Sequence, residues 1–305
     1  MTAIPLRFGG YQTPVSIHNR AAAAFGDALR ERLGASVEFE LIGSVLERGR
    51  DSAELPGMVA SGELACCYMS TVHFTEFAPE LRLLELPFLI RNRDAAYRAL
   101  DGALGARVSQ RLLDGSPFRA LGFWDNGFRH ITNRVRPIRR PEDCRGLRIR
   151  TQASELHGEV FRALGFEPIP ADIKRFLAEI GGESFDAHDN PLTNIFQFGV
   201  QRYHRYLTLT GHFWGAALMV CNERLYRSWP PAVQAAVVAA AREATALQRQ
   251  LAAGEDEQVL AKLDPRECEV VALTDAERAA FVAAVQPVLA RHRRELDPAF
   301  LAHFE

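Results

Sequence analysis

Ile4-Pro-Leu-Arg-Phe8-Gly9-Gly10, then Ser16-Ile-His-Asn-Arg-Ala21-Ala-Ala-Ala-Phe25-Gly-Asp-Ala-Leu29-Arg-Glu-Arg-Leu33-Gly34, then Val37-Glu-Phe-Glu-Leu-Ile42 is the stretch that decides the fold class. A short strand runs into a glycine turn. Ser16 can cap the following helix with its hydroxyl. The apolar residues Ala21, Phe25, Leu29 and Leu33 recur at four-residue steps, which gives that helix one buried face. Gly34 closes it, and Val37 to Ile42 alternates as a half-buried strand does. A weaker helix around Ala53 to Ser61, with Pro56 in its first turn, and a third strand from Leu64 to Met69 repeat the rhythm. Strands separated by helices imply a mostly parallel sheet covered on both faces, so the class is α/β.

The same reading continues outward. A helix is expected over Asp94 to Leu113, and strands at Phe118 to Trp124, Phe128 to Thr132 and Leu147 to Arg150. Helices at Glu155 to Leu164 and Ala171 to Ile180 flank a strand near Glu167 to Ile169. Further strands follow at Ser184 to His188, Tyr206 to Thr210 and Trp214 to Cys221. Pro230 and Pro231 open a long helix with the stripe Val233, Val237, Ala240, Ala244, Leu247 and Leu251. Another helix is expected past Gly254, then a strand at Val270 to Leu273 and a helix over Asp275 to Arg291. The 305 residues correspond to about two domains. Two α/β lobes of this kind are expected to enclose a ligand cleft, with the long helix spanning both.

Composition narrows the function. With 36 basic and 38 acidic residues the net charge is -2, so no global positive field exists for a polyanion and nucleic acid is not an expected partner. No apolar run approaches the ~20 residues that cross a bilayer. Cys66, Cys67, Cys144, Cys221 and Cys268 show neither paired spacing nor a zinc pattern, and buried thiols are expected. Met1 to Leu6 lacks the basic and apolar regions of a secretory leader, so the chain is either cytoplasmic or written without one. No GxGxxG, GxxxxGK[ST] or GxSxG is present, and no cofactor is expected. Asp186, His188 and Asp189 are the candidates for metal or acid–base chemistry, although no regular ligand spacing joins them.

Three passages resemble one family. They are Leu121-Gly-Phe-Trp-Asp-Asn-Gly-Phe-Arg129-His-Ile-Thr-Asn133, Gly146-Leu-Arg-Ile-Arg150-Thr151, and Asp186 through Asp189-Asn190-Pro191-Leu-Thr-Asn194 to Tyr206-Leu-Thr-Leu-Thr-Gly211-His212. Leu86-Pro87-Phe88-Leu89 and the strand ending at Met69 and Ser70 support them. In this order they are similar to the substrate-binding proteins of tripartite ATP-independent periplasmic (TRAP) transporters.

The resemblance implies a periplasmic-binding-protein-like fold of two discontinuous lobes, 1–124 plus about 211–250 and 125–210 plus about 251–305. It implies a non-enzymatic, periplasmic monomer that closes by hinge motion on a small organic acid and delivers it to membrane permease subunits. Arg150 matches the carboxylate clamp, where a guanidinium offers two parallel donors to two oxygens and keeps its charge when desolvated. Arg129 matches a second basic residue beside the ligand, and Asn190 an amide that contacts the carboxylate or fixes the clamp. Trp124, Phe88, His212, Phe213 and Trp214 match the pocket wall, with Met69 and Ser70 at a neighbouring strand end. The aromatic cluster suggests a compact planar acid. The rivals are an α/β enzyme anchoring a carboxylic acid on Arg150, with Asp186, His188 or Asp189 as acid–base groups, and a sensor presenting the acid to a membrane receptor.

Overall fold

The computed structural model describes residues 3–304, so the reading of the opening segment falls partly outside it, on Met1 and Thr2. In chain order the elements begin with β1 (Ile4–Gly9), α1 (Ile17–Leu33), β2 (Val37–Ile42), α2 (Leu55–Ser61) and β3 (Cys66–Ser70). Then come α3 (Arg93–Asp101), α4 (Ala103–Gly115), β4 (Phe118–Asn133), β5 (Arg148–Thr151), α5 (Glu155–Ala163) and β6 (Glu167–Pro170). They are followed by α6 (Ile173–Glu179), β7 (Ala187–Pro191), α7 (Leu192–Gln197), β8 (Tyr206–Asn222) and α8 (Glu223–Ser228). The chain ends with α9 (Pro231–Lys262), β9 (Glu269–Ala272), α10 (Asp275–Arg293) and α11 (Pro298–Leu301). No helix among the described residues is long and apolar enough to cross a membrane.

The chain divides into two compact units. The first is Met1–Pro79, Gly105–Asp125 and Ala216–Gly254; the second is Glu80–Leu104, Asn126–Gly215 and Glu255–Glu305. Segment 80–104, read from sequence with the first lobe, packs in the second unit. The Phe88 N–H donates to the His212 carbonyl at 2.8 Å, and Glu85 meets His157 at 2.6 Å.

In the first unit β1 lies between β2 and β3, parallel to both, and β3 pairs antiparallel with the later half of β8. Ser16 caps α1 by accepting from the Asn19 N–H at 3.1 Å. The helix then buries Ala21, Phe25 and Leu29. Phe8 sits at the centre, 5.7 Å from Phe25 and stacked on Trp124 at 6.5 Å between ring centroids. In the second unit β5 is parallel to β6 and β7, β7 is antiparallel to the later half of β4, and the start of β8 is parallel to β9. Phe161, Phe176, Phe185 and Phe213 are buried in its core. All five cysteines are buried and free, and burial raises the thiols of Cys66 and Cys67.

Several boundaries differ from the sequence reading. The two strands expected at Phe118 to Trp124 and Phe128 to Thr132 are one, β4, which runs through Asp125-Asn126-Gly127 without a break. Gln248 of α9 fastens the Asp125 backbone, accepting from its N–H at 2.8 Å and donating to its carbonyl at 2.6 Å. β8 likewise runs unbroken through Gly211, which takes the left-handed φ of 56°. The single helix expected over Asp94 to Leu113 is broken at Gly102, where ψ is -139°. Conversely α9 passes through Gly254 without a break and reaches 32 residues. The strand expected at Ser184 to His188 lies three residues later, at Ala187–Pro191.

Candidate functional site

In the second unit, strand pairing sets Arg150 of β5 opposite His188 of β7. Arg150 is buried to 6% exposure, and its Nε donates to the Ala171 carbonyl at 2.8 Å. Ala171 is itself tied to β5 through its N–H to the Thr151 carbonyl at 3.1 Å. The plane of the guanidinium is thus held from behind by backbone. Burial, and then the charge of Arg150, push His188 well below the usual imidazole range, so its ring is neutral. That ring stacks on Phe176 at 4.3 Å, and its Nε2 accepts from the Asn190 amide at 3.2 Å. The Asn190 oxygen in turn accepts from Asn194 at 3.1 Å.

Arg129 is placed differently. Its side chain is 3% exposed and its Nε donates to Asp189 Oδ2 at 2.6 Å, Asp189 being 0% exposed. Its Nη2 donates to the Asp189 carbonyl at 2.8 Å, and Nη1 reaches the Asn190 oxygen at 3.5 Å. Burial opposes the charge on Asp189, but the Arg129 guanidinium and a hydrogen bond from His212 outweigh it and hold the carboxyl well below its usual range. Burial lowers His212, whose neutral Nε2–H faces Asp189 at 3.4 Å while Nδ1 accepts from the Thr210 hydroxyl at 2.7 Å. The four residues Arg129, Asp189, His212 and Thr210 form one buried chain of hydrogen bonds.

The structure therefore brings Arg150, Asn190, Arg129 and His212 into one connected region of the second unit. Two of the aromatic candidates touch that network at His212, Phe213 through its ring at 4.8 Å and Phe88 through its N–H, and the others lie apart from it. Phe213 stacks on His157 at 4.3 Å, and Trp214 meets the edge of Tyr97 at 6.3 Å. Phe88 lines a cavity with residues of α10. Trp124 is fully buried in the first unit against Tyr68 and His18, its Nε1 donating to Thr245 at 3.1 Å. Met69 and Ser70 are buried at the carboxyl end of β3.

Beside them lies a polar group that the sequence reading missed. The Asn19 amide donates to the carbonyls of Gln12, Thr13 and Gly43 at 2.8, 2.9 and 3.0 Å, and its oxygen accepts from the Tyr68 hydroxyl at 3.0 Å. His18 is buried with no hydrogen-bond partner on either ring nitrogen among the described residues, and burial lowers it to about 3. The Gly9-Gly10 turn between strand and helix was the available signal, because open α/β sheets bind ligands at the carboxyl ends of their strands.

Of the residues that motivated an enzyme, His188 and Asp189 belong to the network just described, and Asp186 is engaged elsewhere. Asp186 accepts from Arg148 at 2.8 and 3.0 Å and from Arg134 at 2.9 Å, and these hydrogen bonds, led by Arg148, hold it ionised far below the usual range. Arg148 is the main partner of that carboxylate. Among the described residues no group of three His, Cys, Asp or Glu side chains could hold a metal.

Two α/β units linked by long strands and a long helix, with a buried arginine beside a neutral imidazole and an amide, define a ligand-binding protein of periplasmic-binding-protein type. Residues 8–295 match the family described as bacterial extracellular solute-binding protein, family 7. The chain belongs to this family, the periplasmic solute-binding proteins of TRAP transporters, and is not an enzyme. It is 30% identical over 282 residues to the 2,3-diketo-L-gulonate-binding periplasmic protein YiaO of Escherichia coli, covering 92% of this chain and 84% of that one. A TRAP solute-binding protein of Polaromonas bound to D-erythronate is 26% identical, with a TM-score of 0.91 over 99% of this chain and 98% of that one. One from Sulfurospirillum deleyianum with bound succinate has a TM-score of 0.93 at 24% identity, over 99% and 98%, a likeness of fold.

Proposed function

We propose that this chain captures a small oxygenated monocarboxylate in the periplasm, as a monomer, and delivers it to the membrane permease subunits of a TRAP transporter. The observation that carries the reading is Arg150: a guanidinium buried at a strand end, its Nε fixed by the Ala171 carbonyl, beside a neutral imidazole. Such a group binds a carboxylate by charge-assisted hydrogen bonds on the order of 1.5–3 kcal/mol each. Asn190, oriented by His188 and Asn194, is the second donor. Arg129 acts as a positioning residue, since Asp189 already balances its charge.

The relatives named for 2,3-diketo-L-gulonate and D-erythronate support an oxygenated acid. The buried packing of Trp124, Phe213 and Trp214 removes the main reason for preferring a planar aromatic one. A thermal-shift screen with erythronate, succinate and benzoate tests this. The right acid at a hundred times its Kd stabilises the protein by about 2.7 kcal/mol, is recovered chemically unchanged, and gives no shift with Arg150→Ala. A shift that survives Arg150→Ala, or benzoate as the strongest ligand, refutes the assignment.

A further inference from the structure

Within the second unit a cavity of about 830 Å³, with Arg150 not among its lining residues, lies along α10, in the size range of small-molecule sites. A neighbouring cavity of about 770 Å³ shares Phe88, Arg91, Val282 and Gln286 with it and continues toward Arg293 and Arg294. The floor of the first is apolar, formed by Phe128, Leu192, Leu209, Leu260 and Val282. Its polar end is basic. The Arg278 Nη1 donates to the Thr210 carbonyl at 2.6 Å and Nη2 to that of Leu209 at 3.4 Å. No carboxylate pairs with this guanidinium among the described residues.

Beside it, His130 Nδ1 accepts from the Gly211 N–H at 3.1 Å, so the neutral ring carries its proton on Nε2 as a donor. Burial, reinforced by the charges of His212, Arg278 and Arg93, keeps that ring neutral down to about 3. Gly211 lies between the two groups: a Cβ there would be in ordinary contact with Arg278 Nη1 at 3.5 Å and His130 Cε1 at 4.0 Å, and it is the left-handed φ of 56° that favours glycine. The acidic groups lining the cavity are Asp256, which pairs with Arg93 at 2.6 Å, and Asp275 in the first turn of α10. Phe88, which lines both cavities, takes a left-handed conformation, φ 58°, that it alone of the described non-glycine residues adopts. Such a backbone persists only where its surroundings impose it, and it concentrates at binding sites.

We propose that this groove is a second binding site, for a single-headed anionic amphiphile of the medium-chain carboxylate class. The head group lies on Arg278 and His130 and the tail on the apolar floor. The site is independent of the carboxylate reading at Arg150. Isothermal titration calorimetry with decanoate below its micelle concentration tests it. One saturable event with micromolar Kd is expected in the native chain and in Arg150→Ala. The affinity falls at least tenfold in Arg278→Gln and in Val282→Trp, whose indole fills the cavity. Ala279→Trp, at an exposed position on the same wall, must do the same without perturbing the fold. Decyltrimethylammonium, the same tail under a cation, is expected not to saturate. The site is refuted by absent saturable decanoate binding, by equal binding of the cationic tail, or by loss in Arg150→Ala with retention in both tryptophan variants.

Discussion

A guanidinium and a carboxylate 2.6 Å apart, with side chains 3% and 0% exposed, balance each other where water cannot. Removing one leaves the other uncompensated. Asp189→Asn is therefore expected to destabilise the second unit by about 3–5 kcal/mol, read as a lowered midpoint in urea unfolding. Arg129→Met combined with Asp189→Asn should recover more than half of that loss; no recovery would mean that the pair does not act as a unit. Arg150 calls for a different experiment, because its charge is proposed to meet a ligand. Arg150→Lys keeps the charge but loses the planar fork. The Kd of the carboxylate, by calorimetry, should weaken at least tenfold, while unliganded stability falls by only about 1 kcal/mol for the lost bond to Ala171. Arg150, Asn190 and Arg129 could be named from sequence because they stand in recognisable passages. The Asp189–His212 contact could not, since it joins β7 to β8 across 23 residues and depends on strand placement. His18 and Asn19 escaped notice for a related reason: an amphipathic pattern identifies a helix, not which residues at its start turn toward a strand end.

Strong periodicity made β1, α1, β2 and α10 legible, and most of the misplaced boundaries concern glycine. A glycine in sequence signals freedom to break an element without saying whether the break is used. At Gly102 it is used: α3 stops, the backbone turns to ψ -139°, and α4 begins one residue later. At Gly254 it is not, and α9 continues. At Gly127 a φ of 90° bends β4 without ending it, while Gly215 of β8 lies so near that a Cβ there would sit 3.1 Å from the Gly127 carbonyl. Gly→Ala within a helix ordinarily stabilises by about 0.5–1 kcal/mol. Gly102→Ala should have the opposite sign. Its Cβ would meet the Arg98 carbonyl at 2.9 Å, a backbone atom with little room to move. A loss of about 1 kcal/mol or more in denaturant unfolding is expected, and a gain would show that the α3–α4 break is not imposed by the fold.

Across the whole chain, buried histidines set how stability responds to acid. His18 in the first unit is lowered by burial to about 3; in the second, burial lowers His130 to about 3 and His204 to about 4. In the unfolded chain each titrates near 6.5. Between those values the unfolded state binds more protons than the folded one, so unfolding free energy rises with pH and falls on acidification. Each group contributes a slope of about 1.4 kcal/mol per pH unit once the unfolded imidazole is protonated. Asp186 and Asp189 act lower down. Held ionised in the fold, they add stability that is complete above about 4, the unfolded carboxylate range, and lost only below it. Thermal unfolding should thus be nearly flat above pH 7, decline from about 6.5, and steepen below 4. His18→Phe isolates one contribution, since the phenyl ring suits the cage of Tyr68 and Trp124, whose centroids lie 5.1 and 5.9 Å from the imidazole. That variant should reduce the slope between pH 6 and 4 by about one proton's worth, 1.4 kcal/mol per unit, and leave stability above pH 7 nearly unchanged. A slope equal to that of the native chain would mean that His18 takes up its proton in the folded state, and that the ring reaches a partner outside its aromatic cage.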